Sequence, residues 1–514
     1  MPRYAAVDIG SNSTRLAVAE VNPGEPCPGE PWRTLATDRE VTRLGTSVFT
    51  EGAISKPAME LLIRTLSRFA ATYHRLGATS VRVVATSAVR DARNQEDFIY
   101  RASQTIGAPV EIISGLEEAR LIHAGVQASW PHPDGRLMII DIGGGSAEVI
   151  VSADGKLESA ISRPLGAVRL KEMFLLHDPP THEQLERMHA FINEKLAATL
   201  KRTGRGLFDR VIATSSTAAA VLSVLNKIPR KDRDLADRLR ASTSDIGELE
   251  NFLAKSTLAA RRKVPGIGPQ RAEIIVAGIS VLHRILRAYG QSEVFYSVAG
   301  VRDGIIADLA ERRSGSDLSR LSKEQRQVVE AMARRFGVDV KHARQTAHLA
   351  NILFVSLHPL HQLPAAAGKL LEAAAYLIDS GHYVSDMAHH KHSFYLVANS
   401  DLPAFTNEER LTIALLCRFH RKSMPQARHG FFQDLTANVK KLVLWLVPIL
   451  RLADGLDRSH DQRVESAKVE ITDKVVTILL ESEIDMDLEL WAGERVAQVF
   501  QQIYGRELAL RQAS

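Results

Sequence analysis

Short apolar runs that end in a small or charged residue recur along the first part of the chain. The run Tyr4–Ile9 is followed by a small-residue turn and by a second extended segment at Thr14–Val21. The same order returns 133 positions later, where Leu137–Ile142 leads through glycines into Ala147–Val151. Apolar runs of this length predict β-strands, and Gly, Ser and Asn between two such runs predict a tight hairpin turn. The pattern therefore predicts two β-hairpins related by an internal repeat.

Further strand patterns alternate with helical patterns up to about residue 310. Strands are predicted at Val81–Thr86, Val110–Ile113, Val211–Thr214 and Val294–Tyr296, and each leads into a polar segment. Alternation of strands and helices is typical of α/β proteins. The small polar segments after the last two strands are suited to the lining of a cleft.

After about residue 310 the pattern changes. Helical periodicity dominates at Glu324–Phe336, Ala343–Phe354 and Leu370–Ile378, which predicts helices there. The segment Arg312–Asp317 is rich in small and charged residues and predicts a linker. Alternating apolar and polar positions from Asp461 onward predict a small C-terminal domain that contains β-strands.

The composition is that of a globular chain with several domains. The chain has 514 residues, of which 45% are hydrophobic and 24% are charged; these proportions exclude a disordered, collagen-like or coiled-coil protein. This length predicts three or four domains. The two cysteines, Cys27 and Cys417, form no CxxC pair, so we exclude a disulfide scaffold, a cysteine zinc site and an iron–sulfur cluster.

Two features of the chain bear on its location. The longest strongly apolar run, Leu442–Leu450, is interrupted by Pro448 and is about half as long as the roughly 20 residues that cross a bilayer. The N-terminus runs directly into a strand pattern, without the apolar segment of a signal peptide. The sequence therefore predicts a cytoplasmic protein with no membrane partner.

The formal net charge of +5 is mild for a chain of this length, and we expect no nucleic-acid partner. Basic residues do cluster locally, at Lys201–Arg205, Arg230–Arg233, Arg261–Lys263 and Arg418–Lys422. Such clusters are usually solvated helix faces. Together, however, they could hold the remainder of a long polyanion while one end of it reacts.

The two repeated turns carry the most specific chemical signal. Successive backbone N–H groups in a small-residue turn can converge on a phosphate oxygen. An Asp directly before the turn, Asp8 in the first copy and Asp141 in the second, can hold a divalent cation against that phosphate. A single turn of this kind would be an ordinary hairpin. Two facing copies would form a two-sided phosphate clamp.

Two further side chains between the copies are candidates for chemistry. Arg90 stands where a strand meets the start of a helix, a common ligand position in α/β sheets, and its guanidinium could grip phosphate. The spacing from Ser114 to Glu117 is that of a capping box, which occupies Glu117 and leaves Glu118 free as a general base for water. The alternatives are a surface arginine and a solvated carboxylate favoured by the helix dipole.

The paired Asp-Ile-Gly turns resemble the phosphate motifs of the fold shared by actin, hexokinase and sugar kinases. The fuller set resembles the exopolyphosphatase/guanosine pentaphosphate phosphohydrolase family. The motifs that carry this resemblance are Asp8–Ser13, Thr86–Arg90, Ser114–Arg120, Asp141–Ser146 and Gly300–Gly304. The resemblance implies an α/β fold with two actin/hexokinase-like (ribonuclease H-like) lobes, at 1–133 and 134–311. An all-helical HD-like domain at 312–460 and a small α+β domain at 461–514 would follow.

The resemblance also implies hydrolysis of a terminal phosphoanhydride with release of orthophosphate. Glu118 falls on the family's general base and Arg90 on its phosphate-gripping arginine, while Asp141 and Glu148, with Asp8, fall on its metal and water carboxylates. Magnesium is the implied cofactor, with K⁺ as an activator, and a homodimer is the implied assembly. The implied phosphate cradle consists of Gly10, Ser11, Asn12 and Ser13 on one side and Gly143, Gly144, Gly145 and Ser146 on the other. Many members have Thr where this chain has Ala147, but Ser146 still supplies a hydroxyl.

The helical region resembles the HD phosphohydrolase fold, but with a departure at its defining position. The metal-binding His-Asp pair of that fold reads Ile378-Asp379 here. Histidines are scattered through the region, at His342, His348, His382, His389, His390, His392 and His420. Because a ligand is missing from the pair, we expect a structural or substrate-binding domain and not a working metal centre.

The motifs leave the substrate open between two polyanions. Inorganic polyphosphate is the first expectation, and guanosine pentaphosphate (pppGpp) is the alternative, because both present the same terminal anhydride. A kinase of the same fold is disfavoured, since the segment Ala213–Thr217 lacks a Gly-Gly pair for a purine nucleotide. A nucleotide-responsive scaffold of the actin type, without turnover, is a third hypothesis.

Overall fold

The computed structural model describes residues 1–21, 31–204, 206–314, 319–426, 430–433, 435–482 and 484–512. The chain divides into two compact units, residues 1–314 and 315–514. Cys27, Arg205 and residues 315–317 of the predicted linker lie outside the described residues. The bounds of the four predicted domains stay a prediction.

The first unit alternates strands and helices. Its described strands are β1 (Arg3–Ile9), β2 (Thr14–Glu20), β3 (Arg33–Glu40), β4 (Ser80–Ala85), β5 (Val110–Ile112), β6 (Arg136–Ile142), β7 (Ala147–Ala153), β8 (Lys156–Arg163), β9 (Arg210–Thr214), β10 (Arg240–Ser242) and β11 (Glu293–Tyr296). Its described helices are α1 (Leu44–Glu51), α2 (Lys56–Arg75), α3 (Ser87–Asp91), α4 (Gln95–Ile106), α5 (Gly115–Ser129), α6 (Ala167–Phe174), α7 (His182–Thr203), α8 (Ser215–Leu225), α9 (Thr243–Lys255), α10 (Leu258–Arg261), α11 (Ile275–Ala288) and α12 (Val301–Ser314), with a 3-10 segment at Arg230–Ala236.

Two sheets repeat one arrangement. The first has the order β3-β2-β1-β4-β5 and the second has the order β10-β11-β9-β6-β7-β8. In each, an antiparallel hairpin (β1–β2 or β6–β7) pairs through its first strand with a parallel strand, β4 or β9. Strands β1 and β6 are central and largely buried, which explains their continuous apolar sequence. The duplicated topology confirms the predicted pair of actin-like lobes.

Helix α5 is anchored closely to α12, and both helices reach the site described below. A Cβ on Gly304 would lie 1.8 Å from the carbonyl oxygen of Leu121, and a Cβ on Gly125 would lie 2.4 Å from that of Gly300. Only glycine permits this approach of the two backbones. The packing therefore fixes the start of α5 relative to the start of α12.

The second unit is mainly helical, with a small sheet of order β12-β13-β14. Its strands are β12 (Ser466–Ile471), β13 (Val475–Glu481) and β14 (Glu507–Gln512). Its described helices are α13 (Lys323–Arg335), α14 (Val340–Ser356), α15 (His358–His361), α16 (Ala366–Leu377), α17 (His389–Ala398), α18 (Asn407–Phe419), α19 (Gly430–Gln433), α20 (Ala437–Gly455), α21 (Asp487–Glu494) and α22 (Ala497–Tyr504), with a 3-10 segment at Ile378–Tyr383.

The helical periodicity after residue 310 is confirmed at all three predicted segments, which correspond to α13, α14 and α16. The predicted C-terminal strands correspond to β12 and β13. The likeness to an HD domain stays a prediction. Among the described residues, no helix combines the length and the apolar character needed to cross a bilayer.

Candidate active site

The two repeated turns have the same local structure. The amide of Gly10 donates to the carbonyl of Ser13 at 3.2 Å, and the amide of Gly143 donates to the carbonyl of Ser146 at 3.0 Å. Each bond closes a hairpin at the end of a buried strand. The turn amides that remain can then face a ligand, as the sequence predicted.

The structure brings the two turns against each other. A Cβ on Gly144 would lie 3.1 Å from the amide nitrogen of Asn12, and a Cβ on Gly145 would lie 2.7 Å from Oγ of Ser11. Asp8 and Asp141 line one shared cleft together with both turns. The lack of side chains at the two glycines therefore permits the close approach of the lobes on which a common site depends.

Glu118 faces the same cleft from the first turn of α5. Ser114 caps the helix, since its Oγ accepts from the amide of Glu117 at 3.2 Å, and only 8% of Glu118 is exposed. Burial raises the pKa of Glu118 to about 7, with the nearby charges of Asp8 and Asp141 adding to the rise and Arg90 opposing it. A buried carboxyl with a pKa near neutrality is suited to take a proton from water.

Arg90 lies beside this carboxylate. Its Nη1 and Nη2 both donate to Oε2 of Glu118 at 3.1 Å, and Nη1 also donates to the carbonyl of Ile113 at 2.6 Å. Arg90 and Glu148 are not among the residues that line the cleft. The structure thus places Arg90 against Glu118, and a grip of Arg90 on phosphate stays a prediction.

Carboxylates crowd the second hairpin. Asp141 on β6 stands opposite Glu148 on β7 in the sheet register. Burial raises the pKa of Asp141 to about 6, against the hydrogen bond that Thr214 donates to it. Burial also raises the pKa of Glu148 well above its usual range, and the charges of Glu118 and Asp141 raise it further. These buried carboxylates repel one another, which favours their protonated forms.

The carboxylate oxygens at the second hairpin are suited to bind a divalent cation. Oε1 of Glu148 accepts a hydrogen bond from Ser162 at 2.7 Å, whereas its Oε2 is buried and has no hydrogen-bond partner among the described residues. A buried carboxylate oxygen without a partner is costly unless an ion or a water satisfies it. Oxygen ligands of this type are those that magnesium prefers.

Sequence reasoning missed the cations of the cleft. Arg15, Arg271 and Arg302 line it, and none of them was assigned a role. Arg15 stands opposite Asp8 in the register of β1 and β2, the position that corresponds to Glu148 in the second copy. Extending the 133-residue repeat from the Asp8 and Asp141 pair to the next strand of each hairpin would therefore have identified Arg15 as the counterpart of Glu148. Burial lowers the pKa of Arg302, and the neighbouring charge of Arg15 lowers it further.

Ser114 caps α5, but the carboxylate of Glu117 is held by guanidinium groups and not by the cap as the capping box predicts. It accepts from Nε of Arg120 at 2.7 Å and from Nη2 of Arg82 at 3.1 Å. Asp308 on α12 completes this buried network by accepting from both arginines. The network ties the start of α5 to β4 and α12, so Glu117 is structural while its neighbour Glu118 faces the cleft.

The duplicated lobes and the paired turns define a protein of the actin-like fold, and the family models that match the chain make it a phosphatase that acts on phosphoanhydrides. The family model described as the Ppx/GppA phosphatase family matches residues 7–313, and the one described as Ppx/GppA phosphatase, domain III, matches residues 325–490. The chain belongs to the Ppx/GppA phosphatase family.

Solved structures agree with this assignment. An exopolyphosphatase from Cytophaga hutchinsonii is 26% identical, with a TM-score of 0.55, over 61% of this chain and 100% of that chain. The Ppx/GppA family member from Aquifex aeolicus is 26% identical, with a TM-score of 0.52, over 61% of this chain and 99% of that chain. An exopolyphosphatase-like protein is 27% identical, with a TM-score of 0.57, over 60% of this chain and 98% of that chain.

Proposed function

We propose that the protein is an exopolyphosphatase, which hydrolyses the terminal phosphoanhydride of inorganic polyphosphate and releases orthophosphate. The shared cleft carries this proposal, because two phosphate-type turns and the buried carboxylate of Glu118 face one space. Such a cleft accepts the end of a phosphate chain and a water molecule beside it. The name of the related Cytophaga hutchinsonii protein, an exopolyphosphatase, is consistent with this substrate.

Different residues of the chain have different roles in an in-line displacement by water. The amides and hydroxyls of the turns at Gly10–Ser13 and Gly143–Ser146 orient the terminal phosphoryl group, which positions it for attack. Glu118, in its ionised carboxylate form, accepts the proton of the attacking water. Arg90 holds that carboxylate in place. Arg15, which lines the cleft opposite Asp8 in the strand register, offsets negative charge there.

The divalent cation of the family would be held by Asp141, Glu148 and Asp8, and we propose that it is magnesium. When bound, it neutralises charge on the phosphate oxygens.

A side-by-side assay tests the proposed substrate. We expect release of orthophosphate from long-chain polyphosphate, dependent on added Mg²⁺, with kcat/KM higher than for pppGpp under the same conditions. The measurement is phosphate release from both substrates at matched concentrations of terminal groups. Higher kcat/KM for pppGpp would assign the chain to guanosine pentaphosphate hydrolysis instead. Loss of turnover in EDTA, with recovery on Mg²⁺ addition, serves as the control for the cation.

The pH dependence should report Glu118. Burial and neighbouring carboxylates raise its pKa to about 7, and a general base works only when it has lost its proton. We therefore expect kcat/KM to rise roughly tenfold per pH unit on the acid side and to level off above the pKa. A bound cation favours the charged carboxylate and so lowers this pKa.

The rise of kcat/KM on the acid side of the pH profile should accordingly move to lower pH as the Mg²⁺ concentration increases. The measurement is kcat/KM between about pH 5 and about pH 9, at two Mg²⁺ concentrations. Activity that falls as the pH rises through this range would contradict the assignment of Glu118 as a base.

A further inference from the structure

The carbonyl groups of the second repeated turn are bound by the start of α6. The amide of Ala167 donates to the carbonyl of Gly143 at 3.0 Å, and the amide of Arg169 donates to that of Gly144 at 3.1 Å. The side chain of Arg169 adds a third bond, from Nε to the carbonyl of Gly145 at 2.8 Å. The C=O of a trans peptide and the N–H that follows it point in opposite directions. These bonds therefore direct the following amides of the turn away from α6.

The first repeated turn is bound in the same way by the start of α1. The amide of Gly45 donates to the carbonyl of Ser11 at 2.7 Å, and the amide of Arg43 donates to that of Asn12 at 3.1 Å. Each turn is thus fixed by the residues at the start of a helix that follows it in the chain. The correspondence between the two lobes therefore extends beyond the hairpins to α1 and α6.

A glycine permits the close contact between α6 and its turn. Both helices start at a Leu-Gly pair, Leu44-Gly45 for α1 and Leu165-Gly166 for α6. A Cβ on Gly166 would lie 2.3 Å from the backbone nitrogen of Gly145. Any side chain at this position would therefore move α6 away from the turn and break the bonds between them.

Arg169 also reaches from one lobe to the other. Its helix α6 follows β8 of the second sheet, whereas α3 follows β4 of the first sheet. Nη2 of Arg169 donates to Oγ of Ser87 at 3.1 Å and to the carboxylate of Asp91, both on α3. Its Cζ lies 4.0 Å from the centre of the Phe49 ring on α1. One side chain thus joins the second turn to two helices of the first lobe.

Helix α3 in turn contacts the first repeated turn. The amide of Ala88 donates to Oγ of Ser11 at 3.1 Å, and Ser87 beside it lines the cleft. The contacts therefore run without a break from the second turn through Arg169 and α3 to the first turn. Arg169 is not among the described residues that line the cleft, and its side chain is 16% exposed. Its position suits it to hold the turns and not to touch the substrate.

We propose that Arg169 is a positioning residue, which holds the two phosphate-type turns at a fixed separation across the cleft. This inference rests on the proposed function, because it is the turns that bind the terminal phosphoryl group. A guanidinium group can donate several directed hydrogen bonds at once, so one arginine can bind a carbonyl, a hydroxyl and a carboxylate together. A misplacement of about 1 Å in an active site can lower the rate about 10²-fold.

Kinetics of variants on α6 test this role. Arg169→Ala should lower kcat/KM for phosphate release about 10²-fold, measured with whichever of polyphosphate and pppGpp the wild type hydrolyses faster. Arg169→Lys keeps the charge but loses the planar fork of donors, and should recover only part of this loss. Lys171→Ala removes another cation of α6, which pairs with the adjacent Glu172, and should retain the wild-type kcat/KM.

Hydrogen exchange followed by mass spectrometry tests the same role without a substrate. The amides of Ala167 and Gly45 bond to the second and the first turn, and we expect both to exchange faster in Arg169→Ala than in the wild type. Amides of α9 should be unchanged, because local opening affects only the contacts that were lost. A general loss of stability would instead speed exchange in α9 as well.

A kcat/KM of Arg169→Ala equal to that of Lys171→Ala would overturn the proposal. Unchanged exchange at Ala167 and Gly45, or an equal increase in α9, would also overturn it. If the wild type hydrolyses neither polyphosphate nor pppGpp, the proposed function fails, and the exchange measurement alone decides the role of Arg169.

A second variant covers the case in which Arg169→Ala does not fold, as judged by circular dichroism. Asp91→Asn weakens the contact from the first lobe at a side chain that is 45% exposed, so the core of the lobe is untouched. Faster exchange at Ala167 and Gly45 in Asp91→Asn supports the positioning role. Exchange equal to that of the wild type overturns it.

Discussion

Replacing Glu118 by Gln is expected to lower kcat by about 10²- to 10⁴-fold, the usual contribution of a general base. Gln has nearly the same shape as Glu but cannot accept a proton from water. Binding of polyphosphate should change little, because the turns that hold the terminal group are untouched. The measurements are the rate of phosphate release at saturating polyphosphate and the dissociation constant from a direct binding assay.

Two controls accompany this variant. Glu60→Gln removes an exposed carboxylate on α2 and should retain wild-type activity. The melting temperature of Glu118→Gln should stay near or above that of the wild type, because the change removes a negative charge from a crowded group of carboxylates. Undiminished phosphate release by Glu118→Gln would contradict the mechanism. Intact function of Glu118→Gln, together with assembly that depends on nucleotide, would instead favour an actin-type scaffold.

Replacing Glu117 by Ala is expected to destabilise the protein by about 3–5 kcal/mol, the usual cost of breaking a buried ion pair from one side. Glu117 is 5% exposed and accepts from both Arg82 and Arg120. Its removal leaves two buried guanidinium groups with less compensating charge. The measurement is urea unfolding of the full-length chain, followed by circular dichroism.

Glu111→Ala provides the matched comparison. Glu111 accepts from Arg82 at 3.2 Å, and its side chain is 18% exposed, against 7% for that of Glu117. Its loss should therefore cost clearly less than the loss of Glu117. A free energy of unfolding for Glu117→Ala within about 1 kcal/mol of the wild type would mean that the network contributes little to stability.

The adjacent pair Glu117 and Glu118 shows what sequence reasoning achieves here. The cap at Ser114 identified Glu117 as occupied and Glu118 as available, and the structure places Glu118 in the cleft. Of the partners of Glu117, Arg120 lies at the local i,i+3 spacing of one helix, whereas Arg82 on β4 and its link to Asp308 on α12, 226 positions further on, could not be predicted. Such contacts depend on how a strand and separate helices pack and not on local spacing.

The same limit applies to the cations of the cleft. Arg15 on β2 donates to Oγ of Ser216 on α8, across 201 positions of the chain. No periodicity within either segment points to the other. The internal repeat does identify the position of Arg15, but it does not indicate what Arg15 does there.

The two hairpin turns, their repeat and the change to helices after the first unit followed from the sequence alone, because turn chemistry and apolar periodicity act between residues close in the chain. The meeting of the turns in one cleft and the ion pairs behind Glu118 were decided by the tertiary structure. Each of these depends on how separate elements pack, and packing is set by glycine approaches and buried charges that no local pattern encodes.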